Sequence, residues 1–161
     1  MNKKQSLPWD HPRFRSWIAV ARACQLMQQS LGRSLARLDI KPPHLDILVN
    51  LYRFEGISQQ ELARKLLVGR SNMSMLLPQM EKRGLIERRG DQRDKRVLRL
   101  YLTTEGRQLT EEAMTIQTAL IDRLLSDAPL DQCRIVTEHM EHVVSLLLQD
   151  EHEPFESVGD Q

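Results

Sequence analysis

The sequence has few aromatic residues, only two cysteines and no long apolar run. Aromatic side chains make up 4% of its 161 residues, so leucine and methionine must fill most of the core. Cys24 and Cys133 lie far apart in a leucine-rich chain, which predicts reduced thiols rather than a disulfide framework. No apolar run approaches the roughly 18 residues that a membrane helix needs. The basic N-terminus lacks a following apolar segment, so we expect a cytoplasmic protein with no secretion signal and no membrane partner.

Recognisable catalytic and metal-binding patterns are missing as well. We find no Ser/His/Asp set, glycine-rich phosphate loop or Cys-x-x-Cys motif, so we expect neither an enzyme nor a cofactor. His139 and His142 lie three residues apart beside Glu138 and Glu141. No third cluster converges on this set, and such a pattern is more often a solvated helix face than a metal site. We therefore predict no metal.

Charge is segregated along the chain, although the net charge is only +1. Residues 1–52 carry a net charge of +5, residues 53–107 a net charge of +6, and residues 108–161 a net charge of −10. A basic surface is what contact with DNA phosphates requires. The alternative is chance unevenness on solvated helices.

The middle segment contains a helix-turn-helix pattern. Ser58 and Glu61 form a capping box at the start of a short helix. Val68-Gly69 interrupts that helix, and a second one can begin near Arg70 and end at Gly84. The second helix of such a pair normally enters a DNA major groove. Its apolar side is predicted to contain Met73, Leu76, Leu77 and Met80.

A basic hairpin follows the two helices. Residues 85–89 begin as an apolar strand and become charged, residues 90–95 form a polar tip, and residues 96–102 alternate between apolar and polar. Leu98, Leu100 and Leu102 should face the helices, because a hairpin this short cannot be stable alone. The predicted fold class is therefore mainly α with a small β-hairpin wing (α+β). It is a winged helix-turn-helix with dimerisation helices at both termini.

The flanking helices have apolar faces too wide for a small monomer. A heptad-like seam over residues 13–38 and the stripes of two helices after residue 104 predict packing against a second copy. We expect a mobile arm at 1–12, a dimerisation region at 13–40 and 104–149, a DNA-binding domain at 41–103, and a disordered acidic tail at 150–161. The predicted dimer contacts are Trp17, Ala21, Val136, Met140, Val143 and Leu147.

Three motifs resemble one known family. Residues 70–89, then Asp94-Lys95-Arg96, then Leu102-Thr103-Thr104-Glu105-Gly106 are similar to the MarR family of bacterial transcription regulators, which has a D-x-R wing followed by an L-T-x-x-G helix start. The similarity spans roughly residues 14–148. It implies a homodimer whose terminal helices interlock. It also implies a small aromatic, acidic or phenolic effector bound between the dimer helices and the DNA-binding region.

The exposed side of the second helix supplies candidates for DNA contact. Asn and Gln can pair with adenine, Ser with several bases, and Met can touch a thymine methyl group. Pro78 falls inside this helix, where it must either kink the helix or lie on its exposed face. The candidates for base edges are Ser71, Asn72, Ser74, Met75 and Gln79, and those for phosphates are Arg70 and Lys82.

The wing tip carries Arg93, Asp94, Lys95 and Arg96. Basic side chains gain from the negative potential of a narrow minor groove. The family resemblance implies that Arg96 reads this groove and that Asp94 braces the turn or Arg96. A second D-x-R, Asp91-Gln92-Arg93, overlaps the first, so either arginine could insert. The alternative is a soluble charged loop.

These features together predict a sequence-specific regulator of transcription, most simply a repressor. Two recognition helices about 34 Å apart would read a palindrome. The alternative is a winged-helix interaction module without DNA binding. Some relatives sense oxidants through an N-terminal cysteine, but the seam position of Cys24 favours a buried, inert thiol.

Overall fold

The computed structural model describes residues 7–66 and 70–150, without the side chains of Arg70, Ser71 and Asp150. Within these residues the chain is mostly helical, with one antiparallel hairpin, and it confirms the predicted winged-helix fold class. Two 3-10 turns, Pro8–Asp10 and Ala36–Leu38, flank the first helix. The elements are α1 Phe14–Leu35, α2 Pro42–Arg53, α3 Gln59–Lys65, α4 Arg70–Lys82, β1 Ile86–Gly90, β2 Leu98–Leu102, α5 Thr104–Leu125 and α6 Leu130–Asp150.

The chain divides into two compact units, Met1–Leu120 and Ile121–Gln161. The core of the first unit is formed mainly by residues 42–102, which we call the DNA-binding lobe. Every helix and strand of this lobe contributes an apolar side chain to one buried cluster. Its fully buried members include Ile47, Leu48, Leu51, Leu62, Leu77, Met80 and Leu100.

The hairpin is extended by a third short segment. Strands β1 and β2 pair from Ile86 opposite Leu102 to Gly90 opposite Leu98. The Gly56 N–H also donates to the Leu100 carbonyl oxygen at 3.0 Å, and the Leu100 N–H donates to the Ile57 carbonyl oxygen at 3.0 Å. The segment before α3 therefore fixes the wing against the helix-turn-helix.

Two predicted helix boundaries are confirmed in detail. The Glu61 N–H donates to Ser58 Oγ at 3.1 Å, and the Ser58 N–H donates to Glu61 Oε2 at 2.9 Å, which completes the capping box. Gly84 has φ +71°, a left-handed conformation that glycine adopts without steric cost. The Leu85 N–H donates to the Met80 carbonyl oxygen at 3.0 Å, which closes the end of α4.

Gly106 has a role that the sequence did not indicate. Helix α5 passes so close to Leu85 that a Cβ on Gly106 would lie 1.9 Å from the Leu85 carbonyl oxygen. Only glycine fits this approach. Thr103 caps the helix: its Oγ1 accepts the Gly106 N–H at 2.9 Å and donates to the Gly84 carbonyl oxygen at 2.6 Å.

The predicted seam of α1 is buried only at its C-terminal end. Leu31 and Leu35 are buried, whereas Trp17, Ala21 and Cys24 are exposed. The expectation of a buried Cys24 thiol is therefore wrong for the single chain, because nothing in the described residues covers that part of the helix. Helix α6 belongs to the second unit. On it, Val136, Val143 and Leu147 are exposed and Met140 is half-buried.

Three predictions concern membranes, the chain termini and the functional boundaries. No helix within the described residues is long and apolar enough to cross a membrane. The first six residues of the predicted arm, and residues 151–161 of the predicted acidic tail, lie outside the described part of the chain. The predicted functional boundaries at 40/41 and 103/104 stay predictions.

Candidate nucleic-acid interface

Helix α4 separates its apolar and polar side chains as the sequence predicts. Met73, Leu77 and Met80 are buried in the lobe. The side chains on the opposite side point away from the core. The exposed set is Asn72, Ser74, Met75, Gln79 and Lys82. The predicted turn at Val68-Gly69 and the predicted contacts of the Arg70 and Ser71 side chains lie outside the described residues.

Pro78 lies on the exposed side of α4. The helix runs from Arg70 to Lys82 without interruption. Of the two outcomes predicted for this proline, the exposed face accommodates it. The backbone hydrogen bond that proline cannot donate is therefore missing on the solvent side, where water can take its place. Gln79 and Lys82 keep the exposed positions that helical periodicity assigns to them.

A cleft of about 600 Å³ separates α3, α4 and the wing. We call it the α3–wing cleft. Ser74 of α4, the predicted recognition helix, and Arg96 of the wing both line it. The structure therefore brings these two sets of predicted residues together. Three further lining residues, Gln59, Gln60 and Arg64, come from α3. Sequence reasoning missed them, although the polar side of a helix that begins with a capping box could have indicated them.

Asp94 fixes both the turn and the guanidinium of Arg96. Its Oδ1 accepts the Arg96 backbone N–H at 3.0 Å and Arg96 Nε at 3.0 Å, while Oδ2 accepts Nη2 at 3.1 Å. These hydrogen bonds from Arg96 hold the pKa of Asp94 below its ordinary value. The Arg96 side chain is nevertheless 91% exposed. It is therefore pre-oriented without being buried, as a groove-inserting side chain needs to be.

The second D-x-R of the wing is built differently. Asp91 Oδ1 accepts Arg99 Nε at 3.2 Å, and Arg99 Nη1 donates to the Gly56 carbonyl oxygen at 2.9 Å. Asp91 therefore braces the base of the wing against the segment before α3. Arg93 and Lys95 are exposed at the tip. Within the described residues, a carboxylate therefore braces Arg96, whereas no hydrogen bond or ion pair holds Arg93.

The recognition helix is tied to the wing by an ion pair. Arg88 on β1 donates to Glu81 Oε2 on α4, with Nε at 2.8 Å and Nη2 at 2.7 Å. The hydrogen bond from Arg88 lowers the pKa of Glu81. Such a two-pronged pair between an arginine and a carboxylate fixes orientation as well as distance. The two parts of the proposed interface are therefore held together by side chains that do not themselves line the α3–wing cleft.

The arrangement suits binding rather than covalent chemistry. Its exposed groups are amides, hydroxyls, a thioether and guanidinium or ammonium cations, which contact base edges and phosphates. Among the described residues, no group of three or more His, Cys, Asp or Glu side chains is placed to hold a metal ion.

Comparisons with known proteins agree with this geometry. The sequence model that represents the MarR family matches residues 38–97 of the chain. The chain is 28% identical over 111 residues to an uncharacterized HTH-type transcriptional regulator of Bacillus anthracis, covering 69% of this chain and 74% of the relative. It is 28% identical over 102 residues to the HTH-type transcriptional repressor MdtR of Bacillus subtilis, covering 63% and 66%.

Solved structures give the same result. The S. aureus MepR–DNA complex superposes with a TM-score of 0.73 at 25% identity, covering 80% of this chain and 95% of MepR. The matched region includes the helix-turn-helix and most of the wing, which are the elements that form the α3–wing cleft. Residues 38–97 of the chain are therefore similar to the MarR family, and the chain has the fold of winged helix-turn-helix transcription regulators.

Proposed function

We propose that this protein is a cytoplasmic homodimeric repressor that occupies a palindromic operator and is released by a small aromatic or phenolic effector. The observation that carries the proposal is the α3–wing cleft, where Ser74 of the recognition helix and the braced Arg96 line one surface. The recognition helix would enter the major groove, and Arg96 would reach the adjacent minor groove. Lys82 would contact a phosphate and set the register.

Exposed apolar side chains support the homodimer. Trp17 on α1 is 72% exposed, and Val136 and Leu147 on α6 are 60% and 59% exposed. Side chains of this size cost free energy in water and are typical of an interface. A second copy would cover them and would supply the second recognition helix that a palindrome requires.

The repressor role is supported by the likeness to MdtR, which is named as a repressor. A repressor needs only to block a promoter, so a dimer that binds tightly is sufficient. The effector would act by favouring a spacing of the two lobes that no longer matches the half-sites. A ligand can do this only to the extent that it binds that spacing more tightly.

Binding to DNA from upstream of the protein's own gene tests the proposal. Wild-type protein is titrated into a fluorescent fragment at several salt concentrations, with a scrambled fragment as control. We expect the operator fragment to be preferred by at least about 1000-fold and affinity to fall steeply with salt. A reporter driven by the same fragment should be repressed by the protein. Activation of the reporter would contradict the repressor role.

Two other outcomes of the DNA-binding titration are also informative. Steep salt dependence without sequence preference would mean that the operator lies elsewhere. A folded dimer that does not bind DNA at low salt would contradict the proposal and favour a winged-helix interaction module.

A further inference from the structure

A second cleft of about 600 Å³ lies beside the C-terminal end of α4. Its walls come from the end of α1, the segment between α1 and α2, the first turn of α2 and the last turns of α4. We call it the linker cleft. It shares no lining residue with the α3–wing cleft. The residues that matter below are Asp39, Lys41, His44, Lys82 and Arg83.

Positive charge exceeds negative charge in this cleft. Lys41, Lys82 and Arg83 line it, and Asp39 is the one acidic residue among its described lining residues. The Asp39 carboxylate is only loosely paired: its Oδ2 lies 3.7 Å from Arg83 Nη2, and its side chain is 96% exposed. Within the described part of the chain, neither lysine side chain has a hydrogen bond or an ion pair. Two ammonium charges are therefore unmatched.

The pKa of His44, which lines the linker cleft, reflects the charges around that cleft. Its Nδ1 accepts the Lys41 backbone N–H at 3.0 Å. Burial lowers the pKa of His44, and the charges of Arg83 and Lys41 lower it further, whereas Asp39 acts in the opposite direction. Arg83 and Lys41 each lower this pKa more than Asp39 raises it, so the cations outweigh the one carboxylate that faces this imidazole.

Two clefts that residues of α2 line differ in charge. A smaller cleft of about 350 Å³ lies between α1, α2 and α5, and Leu31, Pro42 and Val49 are among its lining residues. The one charged residue among its described lining residues is an acid, Asp46. A generally basic surface would not produce this difference between two clefts that share helix α2. The linker cleft is therefore a local concentration of cations.

Arg83 connects the cleft to the recognition helix. Its Nη1 donates to the Asp39 carbonyl oxygen at 2.6 Å and its Nη2 to the Leu38 carbonyl oxygen at 3.5 Å. These bonds tie the end of α4 to the segment that follows α1. Gln79 and Lys82, which line the same cleft, lie on the last turns of the recognition helix. An occupant of the cleft would therefore touch groups that are also predicted to face DNA.

We propose that the linker cleft is an anion site that holds one phosphate group between Lys41 and Lys82, beside Arg83. Two unmatched ammonium charges suit a phosphate oxyanion, because a phosphate monoester carries nearly two negative charges at neutral pH and each DNA phosphodiester carries one. The phosphate could belong to a free phosphorylated molecule or to the DNA backbone. The consequence for DNA binding rests on the proposed function, whereas the site itself does not.

Phosphate binding to the free protein tests the site. Inorganic phosphate is titrated into the full chain at pH 7.5 by calorimetry without DNA, at constant ionic strength, with acetate as a monoanion control. We expect phosphate to bind more tightly than acetate. Lys41→Gln should weaken phosphate binding roughly fivefold, as for loss of one partly exposed ion pair. Arg33→Gln removes an exposed charge from α1 that does not line the cleft, and it should leave phosphate affinity unchanged.

The source of the phosphate is then decided with operator DNA. If a free molecule is the ligand, phosphate should weaken DNA binding more than chloride at the same ionic strength, and Lys41→Gln should abolish that excess without changing DNA affinity. If the DNA backbone is the ligand, Lys41→Gln should itself lower DNA affinity and reduce the salt slope by about one.

Phosphate that binds no more tightly than acetate, or equally well to Lys41→Gln, would overturn the site. The calorimetric result does not depend on DNA, so it separates failure of this inference from failure of the proposed function. A site confirmed by calorimetry in a protein that binds no DNA would leave the anion site standing and the repressor proposal contradicted.

Discussion

The DNA-binding lobe and helix α6 use their apolar side chains in opposite ways. In the lobe, Leu48, Leu77 and Leu100 are fully buried. On α6, Val136 and Leu147 are more than half exposed, and no described side chain of that helix is buried. The lobe therefore satisfies its own hydrophobic pattern within one chain. Helix α6 has a comparable stripe whose burial requires something outside its own unit.

This difference follows from the lengths of the helices. The lobe combines helices of 7 to 13 residues with a hairpin, so every apolar face has a neighbour within a short stretch of chain. Helices α1, α5 and α6 have 21 or 22 residues each. Long amphipathic helices gain most of their stability from packing along their whole length. We expect mutations in the lobe to affect folding and mutations in α6 to affect assembly.

The largest expected effect is at the close approach between the start of α5 and the lobe. Gly106→Ala would place a Cβ 1.9 Å from the Leu85 carbonyl oxygen. Relief of this clash would require α5 and the residue before β1 to move apart, so we expect a loss of about 3 kcal/mol or more in the free energy of unfolding, measured by urea titration.

A second glycine provides the matched control. A Cβ on Gly32 of α1 would meet the Pro42 side chain at an ordinary 3.7 Å. Gly32→Ala should therefore stabilise the protein, by up to about 1 kcal/mol, because alanine favours the helix. Equal losses for the two variants would show that the close approach at Gly106 is not what constrains that position.

Substitutions on the exposed stripe of α6 should weaken assembly and leave folding unchanged. Val136→Asp places a charge on an exposed stripe, so the lobe should fold normally while the proposed homodimer dissociates. We expect a loss of roughly 2 kcal/mol in dimerisation, about a 30-fold rise in the dissociation constant by sedimentation. Glu138→Asp, on the same helix, conserves charge and serves as the control. A Val136→Asp chain that unfolds would contradict the separation of folding from assembly.

Prediction from sequence was accurate where the physical cause is local. The Ser58–Glu61 capping box, the positive φ of Gly84 and the burial of Leu100 and Leu102 depend on neighbours within a few residues. Each was expected from the pattern and is confirmed, whereas Leu98, at the start of β2, is exposed contrary to the prediction. The family motifs placed the same elements in the same order.

Features that depend on distant backbone segments could not be predicted. The contact of Gly106 with Leu85, the Arg83 hydrogen bonds to the segment after α1 and the pairing of Asp91 with Arg99 each join parts of the chain that periodicity treats separately. The exposure of Cys24 has a related cause. An apolar stripe predicts burial but does not say whether the covering surface belongs to the same chain.

A smaller effect is expected for the wing. Arg96→Ala should lower operator affinity about tenfold and reduce the salt slope by about one, because one positive charge near phosphate is lost. Asp94→Asn keeps Arg96 but removes the carboxylate that orients it. It should cost less, because the added net positive charge offsets part of the lost orientation. Unchanged affinity and salt slope for Arg96→Ala would contradict the assignment of Arg96 to the minor groove.

The smallest expected effect is on the pH dependence of the free energy of unfolding of the lobe. His44 is buried in the lobe and its pKa is lowered from 6.5, chiefly by burial. The unfolded chain then binds more protons than the folded one, so stability is complete above about pH 6.5 and is lost as pH falls toward the lowered pKa. Urea unfolding at pH 7.5 and 5.5 should show a larger loss for wild type than for His44→Asn, which keeps an acceptor for the Lys41 N–H. The difference between wild type and His44→Asn at pH 7.5 alone gives the cost of the substitution itself. A loss of the same size in His44→Asn would mean that other groups set the acid sensitivity of the lobe.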